Sequence, residues 1–387
     1  MTEKEVAEIR RRFKPDKNNI VKLKGCYVSD KKEIIAEFTQ SLSLLSLEES
    51  ESLFKILKKT LSGAIGKNLN NIEFSAAQVS DGEEHGLLMK LRDSELGDED
   101  AVKALYEKIM ISYHTDTNYL ILLVSDVYDI PRKDKNDEQL DDASEEVFKY
   151  FLCSICPVKL TRSGLGFSVL DNSFRNIGAD TAVNAPEMGF MFPAFNDRST
   201  DIYSVLYYTR STSENYKEVA DLLFNTFIPM PAAEQKETFR NLIAETVEKD
   251  RSYEFVQSVH DHLSEMIEEH KTNKRPEPLV LGKKDVKRVL ENCGADEKDI
   301  VTFEEKYDTS FGEKTELHPQ NIIDPKQFEV KTPDVTIKVN PERSYMLETK
   351  MIDGVKYIMI RAEEGVEVNG VSINFPENIQ EKTESQN

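Results

Sequence analysis

Cysteine is scarce in this chain. Its 387 residues contain four, Cys26, Cys153, Cys156 and Cys293, too few for a disulfide framework and in keeping with a reducing compartment. Long apolar runs are missing as well. The longest, Tyr119 to Val124, falls far short of the roughly 20 residues that a spanning helix needs. The N-terminus, Met-Thr-Glu-Lys-Glu, has no apolar signal-peptide core. These absences predict a cytoplasmic protein with no membrane partner. Positive charge is in deficit: 50 Lys and Arg stand against 71 Asp and Glu, a formal net charge of −21. Such a field repels phosphate backbones and anionic membranes on average and favours solubility.

Signatures of catalysis and metal binding are thin. No GxSxG elbow is present, and no Ser/His/Asp set stands out. Leu61-Ser-Gly-Ala-Ile-Gly-Lys-Asn68 lacks the first glycine of a phosphate loop and the hydroxyl residue after its lysine, so it reads as a helix C-cap. Cys153-Ser-Ile-Cys156 lies inside the apolar run Phe148 to Val158. Strand residues three apart point to opposite faces, and no second pair completes a zinc set. His260 and His262 would lie about 200° apart on a helix, again unsuited to one metal. No metal and no cofactor are expected, and an enzyme is the less favoured reading.

What is present is contrast. The first 24 residues hold Arg10, Arg11, Arg12, Lys14, Lys17, Lys22 and Lys24. Arg10, Arg11, Arg12 and Lys14 are candidate contacts to nucleic acid, although Glu3, Glu5 and Glu8 are placed to neutralise part of that charge. A second segment, 161–200, is poor in charge. Its aromatic core, Phe190, Phe192 and Phe195, followed by Asp197 and Arg198, has the composition of a ligand pocket with a polar rim; the same composition suits a loop crossing the core.

Periodicity gives the layout. Thr2–Phe13 predicts a helix, and Ile20–Val28 with Glu33–Phe38 a hairpin. Ser46 and Glu49 have capping-box spacing. Helical stripes recur at 83–91, 98–111, 216–224, 232–247, 253–269, 283–292 and 296–307. Strands are expected at 118–124, 147–161, 165–170 and 201–209, and 126–146 reads as an acidic loop, with nine acidic and three basic residues. Near the end, Asp353-Gly354 and Asn369-Gly370 mark hairpin turns. The expectation is an α+β protein: a mixed helix/sheet body over 1–275, including a helical section at 232–271. After it come a helix pair with a small antiparallel sheet over 276–376 and a polar tail at 377–387.

Glu5-Val-Ala-Glu-Ile-Arg-Arg-Arg-Phe-Lys-Pro-Asp-Lys-Asn-Asn19, with Gly25-Cys26-Tyr27 and Lys58-Lys-Thr-Leu-Ser-Gly63, resembles a bacterial family catalogued only as a domain of unknown function (4317). That resemblance implies no activity. The order of elements, with short likenesses at Phe303-Glu-Glu-Lys-Tyr307 and Val335-Thr-Ile-Lys-Val339, is similar to that of the bacterial nucleoid-associated family. It implies association with nucleic acid or with a nucleic-acid-associated protein. Against a recognition-helix mode, the segment Asp296 to Asp308 carries six acidic and two basic residues, which a major groove would repel. The leading expectation is a non-enzymatic binding protein. The alternative is a small-ligand binder or enzyme using 161–200, and self-association through the C-terminal sheet edge stays open.

Overall fold

The computed structural model describes residues 1–133, 139–160, 164–168, 173–177, 181–247, 252–275, 277–312, 315–362 and 365–373. The chain opens with α1 (Glu3–Arg12), closed at its start by a Thr2–Glu5 capping box. The hairpin β1 (Lys22–Val28) and β2 (Ile34–Ser41) follows. Next is α2 (Leu47–Leu57), capped by Ser46 and Glu49 as their spacing predicts; it tightens into a 3-10 turn over Lys58–Leu61. After β3 (Leu69–Glu73) come α3 (Ala76–Asp81), α4 (Glu83–Asp93) and α5 (Glu99–Ser112). The long strands β4 (Tyr119–Lys133) and β5 (Gln139–Leu160) lead to β6 (Gly164–Ser168), β7 (Ser173–Ile177) and β8 (Thr181–Val183). Then follow β9 (Met188–Phe192), β10 (Ala194–Asn196), β11 (Ser199–Asp201) and β12 (Ser204–Thr209).

Eight of these strands build one antiparallel sheet in the order β2-β1-β4-β5-β9-β12-β3, with β8 beside β5. The side-chain period of two sends alternate residues to two separate cores. Ile121, Leu123, Phe151, Cys153, Phe190, Phe192, Val205 and Tyr207 meet α4, α5 and α6 (Lys217–Phe224) on one face. Leu122, Val124, Leu152, Met191, Leu206 and Tyr208 meet α1 and α2 on the other. Gly189 lets the turn after α2 approach closely. A Cβ there would lie 2.3 Å from the Cys153 carbonyl oxygen and 2.6 Å from the Thr60 methyl, whose hydroxyl hydrogen-bonds Ser154 at 2.7 Å within the core.

A third core joins α7 (Ala232–Thr246), α8 (Tyr253–Thr272), α9 (Lys283–Asn292) and α10 (Glu297–Phe311), closed by the short α11 (Pro319–Ile322). Phe239, Leu242, Phe255 and Leu263 share it with Val289, Leu290, Phe303 and Tyr307. The expected boundary at residue 275 therefore does not coincide with a break between cores. The chain ends in three hairpins: β13 (Phe328–Lys331) with β14 (Thr336–Val339), β15 (Leu347–Ile352) with β16 (Val355–Ile360), and β17 (Val366–Val368) with β18 (Val371–Ile373). Asp353-Gly354 and Asn369-Gly370 turn with positive φ, as the hairpin signal requires. The fold is α+β, a sheet-rich N-terminal part followed by helices and small hairpins.

Two expectations about the strands need correction. The acidic stretch 126–146 is not a loop, because most of it continues β4 and β5, paired from Asp126↔Tyr150 to Lys133↔Gln139. Tyr128 and Ile130 alternate with exposed Asp129 and face the core, but beyond Ile130 charged residues crowd the sequence of both strands, so the alternation is too short to mark the whole ribbon. The C-terminal sheet is three separate two-stranded pairs among the described residues; a 3-10 turn over Pro341–Met346 stands between β14 and β15. The polar tail 377–387 lies outside the described residues.

Candidate ligand cleft

The basic N-terminal helix turns much of its charge inward. Arg12 grips Asp126 through Nε at 2.7 Å and Nη2 at 3.0 Å, a bidentate fork, and its guanidinium lies 4.3 Å from the centre of the Tyr128 ring. Asp126 is buried; it also accepts the Tyr150 hydroxyl at 2.8 Å and the Asn19 amide at 2.8 Å. Burial, reinforced by that carboxylate, pushes the Tyr150 phenol well above its usual range. This network anchors α1 to the sheet, so Arg12 is withdrawn from the nucleic-acid candidates. Arg11 and Lys14 are exposed, and Arg10 is half-buried with its Nε unpartnered among the described residues.

The pocket candidates are also placed otherwise than expected. Phe190, Phe192 and Phe195 are fully buried. The first two belong to a strand covered on both faces, and Phe195 packs on Phe148 and Tyr128. They line the cores. Asp197 and Arg198 are the two turn residues of the β10–β11 hairpin, with φ of 50° and 55°. Arg198 reaches Glu8 at 3.1 Å and the Pro131 carbonyl at 3.0 Å. It thus clamps the same helix that Arg12 anchors, a convergence of two arginines far apart in the chain that no sequence pattern marks. From the charge-poor segment, Asn184, Ala185 and Glu187 do border a concavity of about 370 Å3 beside Tyr113, Arg210 and Tyr216.

Thiols and imidazoles are taken up by packing. Cys153 and Cys156 face opposite cores. Burial raises both pKa values, Cys156 to about 12, and Cys26 to about 11. His85 donates to the Ile202 carbonyl at 2.9 Å between Phe74 and Phe192, and His260 to the Asp324 carbonyl at 3.0 Å against Phe328. Among the described residues no group of three or more His, Cys, Asp or Glu is arranged to hold a metal ion. No helix there is long and apolar enough to cross a membrane.

The feature best suited to a ligand lies elsewhere, where the sheet meets the third core. A cleft of about 640 Å3 opens between β3, the Ile65–Gly66 turn, the connection from α6 to α7, and the strands of chain before α9 and α11. The Asn321 amide bridges the two sides, donating to the Gly66 carbonyl at 2.7 Å and to Gln235 at 3.1 Å. Gly66 has a φ of 77°, and a Cβ there would meet the His318 ring at 2.2 Å; glycine alone combines that conformation with that approach. Burial lowers the His318 pKa, the Leu279 carbonyl opposing it, so the ring favours its neutral form. His318 Nδ1 and Asn71 Oδ1 are buried without hydrogen-bond partners among the described residues. Phe227, 72% exposed, stands at the mouth. It also borders a neighbouring concavity of about 550 Å3.

β3 is an edge strand of the large sheet. Thr209 N–H donates to Asn68 O and Phe74 N–H to Tyr203 O, which fixes the even-numbered residues as those bonded to β12. Odd-numbered residues then face away from it. Leu69 is satisfied by the preceding turn, through Ala64 O and Gly66 N, and Glu73 O accepts the Thr226 hydroxyl. Asn71 N–H, Asn71 C=O and Glu73 N–H are left without a bond among the described residues, at a strand lining the cleft. Sequence reasoning missed this site, since Leu69-Asn-Asn-Ile-Glu73 is short and polar and its partners are distant in the chain.

No curated protein matches this sequence. Residues 1–371 match the family described as Domain of unknown function (DUF4317). That match runs through the sheet, the helical core and nearly all of the hairpins, and the chain belongs to this bacterial family.

Proposed function

We propose that this is a non-enzymatic binding protein whose ligand enters the cleft between β3 and the helical core. The observation that carries the reading is the set of unpaired polar groups around one opening: the Asn71 and Glu73 edge, Asn71 Oδ1 and His318 Nδ1. Buried polar groups are ordinarily hydrogen-bonded, and a concavity with a few convergent polar groups is how ligand sites are built. The test is an amide-exchange screen of the full chain against peptides, nucleotides and small metabolites. A ligand should slow exchange at Asn71 and Glu73. If ligands bind only elsewhere and leave those two amides unchanged, the reading is wrong.

A second reading is contact with nucleic acid, in line with the resemblance to nucleoid-associated proteins. It is favoured by the exposure of Arg11 and Lys14 beside Arg10 once Arg12 is committed to Asp126. Binding of labelled duplex should weaken steeply with salt. Arg11→Ala with Lys14→Ala should lower the log–log salt slope by about two. An absence of binding at low salt rejects it.

A further inference from the structure

We propose that the cleft takes an extended, positively charged segment of another protein, which pairs its backbone with the free edge of β3. This rests on the cleft being the binding site and names its occupant. Asn71 presents an N–H and a C=O side by side, and Glu73 N–H follows two residues later on the same edge. That is the donor–acceptor pattern an incoming strand satisfies, as in peptide recognition by strand addition. The edge is stopped at one end by the Ala64–Gly66 turn bonded to Leu69 and at the other by Thr226 bonded to Glu73 O. The paired segment is therefore short, a few residues long.

Charge selects the segment. Glu73, Glu277 and Glu316 line the opening, all exposed, and no Lys or Arg side chain is among the lining residues described. Met1 borders it too, and burial lowers the pKa of its α-amino group. Phe227 at the mouth offers a broad apolar face beside the carboxylates, suited to the methylene stem of Lys or Arg and to its charge. Residues 376–387 of this chain carry three Glu and one Lys, the wrong sign for the site.

The test uses the full chain and three blocked, labelled hexapeptides: alternating Lys and Val, alternating Glu and Val, and the Lys peptide N-methylated at its two central residues. Anisotropy should show the Lys peptide binding at least about tenfold more tightly than the Glu peptide, and N-methylation should cost about tenfold. Glu277→Gln and Glu316→Gln should each weaken binding about threefold. Asn71→Pro removes the outward N–H while leaving the β12 ladder intact, as proline on an edge strand can, and should weaken it about tenfold. If that variant does not fold, the N-methylated peptide asks the same question. Equal binding of Lys and Glu peptides, or no effect of N-methylation, overturns the proposal. So does protection of Asn71 that grows with protein concentration alone, which would make a second copy the occupant. If the Lys peptide does not bind but another ligand class protects Asn71 and Glu73, the occupant is wrong and the cleft stands. If nothing protects them, both readings are overturned.

Discussion

Arg12 and Arg11 are neighbours in sequence with opposite fates. The Arg12–Asp126 pair is nearly dehydrated, its side chains 14% and 1% exposed. Removing one partner strands the other charge in the core. Arg12→Ala should therefore destabilise the fold by about 3–5 kcal/mol in urea unfolding, while Arg11→Ala should stay within about 0.5 kcal/mol. Any nucleic-acid experiment that removes both would report unfolding and contact together. Cysteine gives a second residue-scale expectation. Cys26, Cys153 and Cys156 are buried with raised pKa values, so little thiolate forms near neutral pH. Cys293 is the partly exposed one. Mass spectrometry after brief alkylation of the native protein should find label on Cys293 first, and on the other three only after denaturation. His318 adds a pH dependence. Its folded pKa lies below the ordinary 6.5, so the unfolded chain takes up this proton more readily. The stability tied to it is present above about pH 6.5 and is lost as pH falls through the lowered folded value. His318→Gln should flatten that limb of a midpoint-versus-pH curve.

At the scale of elements, the junction hangs on a turn and an amide. Gly66→Ala forces a side chain into a left-handed conformation and against His318, and should cost about 1–3 kcal/mol. Asn321→Ala leaves the Gly66 carbonyl and Gln235 short of a donor, with a cost of about 1–3 kcal/mol. Both are measurable by denaturant unfolding, and both should loosen the cleft. Which elements were legible follows from how each is solvated. α2, α5 and α7 to α10 carry one apolar stripe and a wet face, and the sequence shows them directly. β9 is covered on both sides, so Met188-Gly-Phe-Met-Phe192 has no alternation and suits a pocket wall and a loop crossing the core equally in composition. β3 is too short and polar to announce itself, and the outer parts of β4 and β5 carry the charge of a loop. The cleft was illegible because Asn71, Gln235, His318 and Asn321 are joined only by tertiary packing.

At the scale of the whole molecule, a formal charge of −21 repels itself most in the compact state. Raising sodium chloride from about 10 to about 150 mM shortens the Debye length to roughly 8 Å and should raise the unfolding midpoint of the full chain. The Arg12–Asp126 anchor should respond little, being dehydrated. The β4–β5 ribbon is a different kind of whole-molecule feature. Outward from Asp126↔Tyr150 it pairs with no third strand among the described residues; Arg12 and Asn19 hold its base at Val127, and Arg198 holds it farther out at Pro131. Up to Pro131 it is also packed on the core through Tyr128, Ile130 and Phe148, so only the part beyond Pro131 can change length without touching those contacts. Removing two residues from each strand shortens it by about 7 Å and returns each remaining side chain to its own face. Relatives of this chain should accordingly gain and lose residues at the far end of the ribbon, in steps of two per strand, while the base keeps its length.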